Sequence, residues 1–322
     1  MALELTKKFD APHRLFAVET ISLVYNLITS LLILFHYNEM THASEMLTER
    51  ICIALGTYLL VFLFRFVPNK GFTFVRIAAQ MALLSYWYPD TFEFNRLFLN
   101  LDHIFASADQ LLFNCQPAIE FSKQLPTMWV SEPLNLGYFS YYPMIFMVTL
   151  FYFVFRFEWF EKISFVLVGS FLIYYLIYIF VPVAGPQFYF PAIGLEQVSQ
   201  GVFPAVGHYF NYHTELLPAP GYSHGVFYQL VEQSQQVGER PTAAFPSSHV
   251  GISTILMIMA SRINRRLFFI LSPFYVLLCC ATVYIQAHYL VDVIGGLVTA
   301  VAFYSFTTWV YKKWFVHPIF RE

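Results

Sequence analysis

Charge is what this sequence has least of. Asp, Glu, Lys and Arg make up 12% of its 322 residues, against roughly 25% in a soluble domain. With 58% hydrophobic residues and several apolar runs of about 20 residues, the chain reads as a polytopic membrane protein. Cysteine is also sparse. Cys52, Cys115, Cys279 and Cys280 form no pattern, three lie in apolar runs and two are adjacent, so no disulfide framework is expected. There is no basic excess, since the net charge is −2, and nothing points to nucleic acid. Internal repeats and low-complexity segments are missing. The first apolar run, from about Phe16 to His36, is too long for a signal-peptide core and has no small-residue cleavage site; it reads as a retained span.

What is there is a series of helical lengths. The expected fold is all-α, a polytopic membrane helix bundle of about eight transmembrane helices. The spans fall at 15–36, 51–67, 72–89, 138–156, 163–181, 246–261, 267–286 and 288–310. The segment 90–137 is too polar to cross a bilayer, and its apolar pieces suggest amphipathic helices on the outer membrane face. The second long loop, 182–245, is rich in Pro, Gly, Tyr and Phe.

The basic residues orient this array. With eight spans and a cytoplasmic N-terminus, the inner side holds Lys7, Lys8, Arg14, Arg65, Lys70, Arg76, Arg156, Lys162, Arg262, Arg265, Arg266, Lys312, Lys313 and Arg321. The outer side holds Arg50, Arg96, Lys123 and Arg240. The positive-inside rule therefore places both termini in the cytoplasm and both long loops outside. A bacterial inner membrane, with the site on the periplasmic face, is the expected location.

Two stretches carry chemistry. One is Arg240-Pro241-Thr-Ala-Ala-Phe-Pro246-Ser247-Ser248-His249, with Pro246 read as a first-turn helix proline and Ser247 and Ser248 in the same turn. The other is His288-Tyr-Leu-Val-Asp292, whose spacing puts the imidazole and the carboxylate on one helix face. The spans that follow both start on the outer side, so the two histidines should lie at one depth. An ionisable residue such as Asp292 just inside a span marks a functional site. Free N–H groups at Ser247 and Ser248, with a bidentate Arg240, could bind a phosphate. His288, its far nitrogen held by Asp292, could act as a nucleophile, and His249 could protonate the leaving alkoxide and then activate the acceptor. No metal or other cofactor is required.

These residues resemble the PAP2 superfamily of lipid phosphatases and phosphotransferases. Pro246-Ser247-Ser248-His249 is similar to its P-S-G-H element, and His288 with Asp292 to its H-x-x-x-D element. The resemblance implies His288 as nucleophile, Asp292 as its partner and His249 as acid/base. It also implies a six-helix catalytic core in spans three to eight. The expected domains are thus a tail with two accessory helices at 1–70, a catalytic membrane domain at 71–311 and a cytoplasmic tail at 312–322. Positions where the family's phosphatases carry cations hold Thr282 and Gln233, so the chain looks more like the Aur1-type inositolphosphotransferase and sphingomyelin-synthase branch. The segment Phe180-Val-Pro182-Val-Ala-Gly185-Pro186-Gln187 resembles that branch's Pro-rich element, with Gln187 in place of an arginine.

Three functions are open at this point. Head-group transfer from a phospholipid to an alcohol acceptor is favoured. Hydrolysis of a lipid phosphate, with water as acceptor, uses the same residues. A non-catalytic lipid-binding or transport protein is the third. Other polar groups read more plainly. Asp102, His103 and Asp109 suit loop packing or the surface, Glu19 and Asn26 suit helix–helix hydrogen bonds, and Gly295-Gly296 suits close helix approach. The spacings of His208, His213 and His224 fit no strong metal-ligand pattern. The sequence leaves the oligomeric state open.

Overall fold

The computed structural model describes residues 14–315, so Lys7, Lys8 and Arg321 of the charge pattern lie outside the described residues. In chain order the helices are α1 (Ala17–Phe35), α2 (Ala43–Phe64), α3 (Lys70–Ala82), α4 (Leu84–Asn95), α5 (Asp102–Phe113), α6 (Pro117–Gln124), α7 (Met128–Phe139) and α8 (Tyr141–Phe155). There follow α9 (Phe157–Phe180), α10 (Pro186–Ile193), α11 (Leu195–Ser199), α12 (Val226–Gly238), α13 (Ser248–Ile263), α14 (Arg265–Tyr284) and α15 (Leu290–Trp314). No strand occurs among the described residues. The protein is an all-α polytopic membrane protein.

By length and apolarity, five helices can cross a membrane, namely α1, α2, α9, α14 and α15, or six if the bent pair α7 and α8 counts as one span. The expected fourth span is this pair, bent by 43°. Pro143 supplies a reason for the break, because it has no N–H to offer the carbonyl of Phe139 one turn back. The expected third span is divided at Leu83 into α3 and α4, neither long enough to cross alone. The expected sixth, α13, is apolar but only 16 residues long. The segment 90–137 forms α5, α6 and α7, the last running into α8 as the first half of the bent pair.

Contacts divide the chain into two units. One comprises the chain up to Trp87, Thr149–Leu172 and the segment from Ser305 on; the other comprises Tyr88–Val148 and Ile173–Tyr304. In the first, α1, α2 and α3 pack together. The buried Arg76 guanidinium donates to both Glu19 oxygens, at 2.8 and 2.5 Å, and lies over the rings of Phe16 and Phe64. Arg76 is therefore a helix-packing residue and not the loop charge of the orientation argument. Asn26 donates to the carbonyl of Arg50 at 2.9 Å. Glu19 and Asn26 thus make the helix–helix bonds expected of them.

The second unit holds both motif stretches. A buried cluster of Leu134, Tyr138, Tyr228, Val231, Ala281 and Tyr284 joins α7, α12 and α14, and it continues through Ile285 and Ala287 to the turn before His288. Glu132 on α7 accepts from the N–H groups of Phe227 and Tyr228 at 3.1 and 3.0 Å. A carboxylate there satisfies the free donors of the α12 start and suits its dipole.

Candidate active site

The first motif turns into α13 through Ser247. Its hydroxyl accepts from the N–H of Val250 at 3.4 Å, which makes Ser247 the N-cap. Pro246 stands before the cap, after a cis peptide bond, and not in the first turn as expected. The N–H of Ser247 donates to the Asp292 carbonyl at 3.0 Å, and that of Ser248 to the Tyr178 hydroxyl at 3.0 Å. These two donors were expected to face a phosphate. They instead tie the start of α13 to α15 and α9, because a buried N–H needs a partner inside the protein. His249 follows in the first turn. Its ring stacks on Tyr138, with centroids 4.8 Å apart, and lies 4.5 Å from Tyr141.

The second motif sits in a tight turn. Gln286 has φ 65°, a left-handed conformation that non-glycine residues seldom adopt. The N–H of His288 donates to the Thr282 carbonyl at 3.0 Å. Its Nδ1 lies 2.8 Å from the Ala244 carbonyl oxygen. A carbonyl can only accept, so Nδ1 carries the proton and Nε2 keeps its lone pair. Sequence reasoning gave this orienting bond to Asp292. In the structure the Asp292 Oδ2 is 3.6 Å from Nδ1 and accepts from the N–H of Tyr289 at 2.8 Å. Asp292 is buried, and its Oδ1 has no hydrogen-bond partner. Its carboxyl group lies beside the ring without a hydrogen bond to it, and the Ala244 carbonyl sets the tautomer.

The two imidazoles meet. Their ring centroids are 5.8 Å apart at an interplanar angle of 64°. A reacting atom sits about 3–3.5 Å from its catalytic group, so both rings can reach one phosphoryl group bound beside them. Helix approach makes this separation possible. A Cβ on Gly296 would lie 2.6 Å from the Ser247 carbonyl oxygen, and one on Gly251 would collide with the Tyr174 hydroxyl. Gly295-Gly296 thus serves the close approach expected of it.

Two residues read as loop or surface groups are built into the site's backing. Asp109 is fully buried and accepts from the N–H groups of Leu290 and Val291 at 2.8 and 2.9 Å, so it caps α15 directly after His288. Asp102 is also buried. It accepts from the N–H groups of Ala184 and Gly185, the amide of Asn100 and the hydroxyl of Tyr289, at 2.6, 2.8, 2.6 and 2.9 Å. Burial pushes Asp102 up to about 6 against these four bonds, and burial also raises Asp109. Gly185 takes φ 94°, and a Cβ there would lie 2.6 Å from the Ala287 carbonyl oxygen. The Pro-rich element is thereby locked onto the His288 turn. The loop-packing reading of both aspartates is right, and the surface reading is not.

Arg240 is half-buried and donates to the Glu239 carbonyl at 2.8 Å. The Glu239 carboxylate accepts from the Tyr88 hydroxyl at 3.1 Å and is close enough to interact electrostatically with His288. Sequence reasoning passed over Glu239, although it directly precedes Arg240. Among the described residues no group of three or more His, Cys, Asp or Glu side chains is arranged to hold a metal ion.

Comparison with known proteins bears on this geometry. A family model described as the PAP2 superfamily matches residues 102–306, nearly two thirds of the chain. No curated protein and no solved structure matches it. The matched region runs from α5 into α15 and contains both histidines and all three buried aspartates around them. The chain belongs to the PAP2 superfamily, whose members are phosphatases and phosphotransferases.

Proposed function

We propose that this protein transfers the head group of a membrane phospholipid to an alcohol acceptor through a phospho-histidine. Nε2 of His288 attacks phosphorus. The lipid alkoxide leaves and takes a proton from His249, and His249 then accepts a proton from the incoming alcohol as it attacks the phospho-histidine. Asp292 stabilises the charge that develops on the His288 ring. The Ala244 carbonyl holds its Nδ1–H so that the attacking nitrogen stays free. Arg240 binds a phosphate oxygen, and Ser247 and Ser248 hold the helix start that carries His249. The site faces the outer leaflet, and both termini face the cytoplasm.

The observation that carries this reading is the 5.8 Å separation of two imidazoles with one ring nitrogen already committed to a carbonyl. The neutral residues Thr282 and Gln233 favour a diester over a monoester dianion, because a diester carries one charge fewer to compensate. The test is an assay of purified protein with head-group-labelled phospholipids, with and without alcohol acceptors. A new labelled diester formed only with acceptor supports transfer. Free phosphate from a lipid phosphate monoester identifies a phosphatase using the same residues. Neither product from folded protein leaves a lipid-binding role. His288→Ala should abolish turnover, whereas a chelator should not.

A further inference from the structure

Two histidines and Asp292 account for cleavage, but Glu239 has no part in it, and its position calls for one. It ends α12, and five residues on lies Ala244, whose carbonyl holds the His288 ring. The carboxylate accepts from Tyr88 on α4 at 3.1 Å. It interacts electrostatically with His288, with Tyr138, which stacks on His249, and with Tyr142 one turn further along the wall. The cation beside it is Arg240, whose guanidinium donates to the main-chain carbonyl of Glu239 itself. Burial raises the Glu239 carboxyl, while His288, Tyr88 and Arg240 pull it back down. Once ionised, it sets a negative charge beside the His288 imidazole and next to Arg240. That is a poor arrangement for binding as much anionic charge as possible. It is a good one for choosing between anions of different charge.

We propose that Glu239 is a charge filter that admits a singly charged phosphodiester and turns away a doubly charged phosphomonoester. The filter rests on the proposed function and names the residue that sets its substrate class. One more unit of negative charge about 7–12 Å from a carboxylate lowers affinity roughly 10- to 50-fold at an effective dielectric near 20. Arg240 serves Glu239 as well as the phosphate, so the second charge of a dianion meets the carboxylate uncompensated. A dianion can enter only by enduring that repulsion or by bringing a proton with it.

The experiment reads binding and needs no turnover. Dodecylphosphonate and its methyl monoester share a chain whose P–C bond phosphoryl transfer cannot cleave, and recovery of the ester intact after titration shows that its P–OCH3 bond has not reacted. In mildly alkaline buffer the first is a dianion and the second a monoanion. Titration of the detergent-solubilised full-length protein should show the methyl ester binding about 10-fold or more tighter. Glu239→Gln should shrink this gap to within about threefold, and Glu239→Asp should keep most of it. A gap unchanged in Glu239→Gln, or a wild-type preference for the dianion, overturns the proposal. If Glu239→Gln does not fold, the wild-type protein still decides. Affinity for dodecylphosphonate should fall as its second proton is lost, while that for the methyl ester stays level, and a level response to both overturns the filter. The transfer reading fails separately, when wild-type protein makes no new diester in the labelled assay.

Discussion

Replacing Gly296 by Ala adds one methyl group where α15 crosses the start of α13, and its effect follows from distances. The new Cβ would lie 2.6 Å from the Ser247 carbonyl oxygen and 3.2 Å from the Val250 Cβ. Ordinary van der Waals contact begins near 3.4 Å, so the helices must part by about 0.8 Å. Both neighbours belong to the α13 start, which carries His249, so parting the helices moves it away from His288. Overpacking of this size costs about 1–3 kcal/mol of stability. A misplacement approaching 1 Å at a catalytic group lowers the rate by about 100-fold. Thermal unfolding in detergent and turnover of a head-group-labelled phospholipid panel measure the two effects. Gly56→Ala is the control, because nothing lies within 4 Å of its Cβ and a helical Gly is replaced by Ala. It should leave turnover unchanged and raise stability by up to about 1 kcal/mol. A Gly296→Ala protein with wild-type turnover would refute the view that helix approach sets the histidine separation.

Glu19→Gln leaves the buried Arg76 guanidinium without its counter-charge, and unfolding experiments should show a loss of about 3–5 kcal/mol. Asp102 titrates at about 6 in the folded protein against an ordinary 3.8. A raised folded-state value favours the folded form as pH falls, so its benefit is complete below 3.8 and is lost as pH rises through about 6. Between neutral pH and about pH 4, the wild-type protein should gain roughly 2.4 kcal/mol relative to Asp102→Asn. A stability difference between the two that does not change with pH would contradict the burial of this carboxylate.

The meeting of the two histidines was legible because each lies at or just before a helix start in a short local pattern. The spacing of His288 and Asp292 brought them near each other but not into the expected hydrogen bond, since His288 lies in the turn before α15. The Gly295-Gly296 approach needed only two small residues in an apolar run. The backing of the site was not legible in the same way. Asp109 and Asp102 accept from backbone N–H groups 181 and 82 residues away, and such bonds leave no periodic trace. The orienting acceptor of His288 is likewise a main-chain carbonyl, which no residue type announces. Arg76 looked like a loop charge because its partner Glu19 is 57 residues distant. The bend between α7 and α8 has a visible cause in Pro143. The N–H groups of Ser247 and Ser248 were assigned to a ligand because the residues that occupy them, Asp292 and Tyr178, come from other helices.

The central claim is that His288 takes the phosphoryl group while His249 handles the proton. It is tested most directly by rapid acid-free quenching of the protein with a head-group-labelled phospholipid in the absence of acceptor, followed by mass spectrometry of the peptides. The account predicts an alkali-stable, acid-labile phospho-head-group adduct on His288 that forms much more slowly in His249→Ala, which lacks the acid for the leaving alkoxide, and is absent in His288→Ala. Label on any other residue, or turnover that persists without His288, would contradict it.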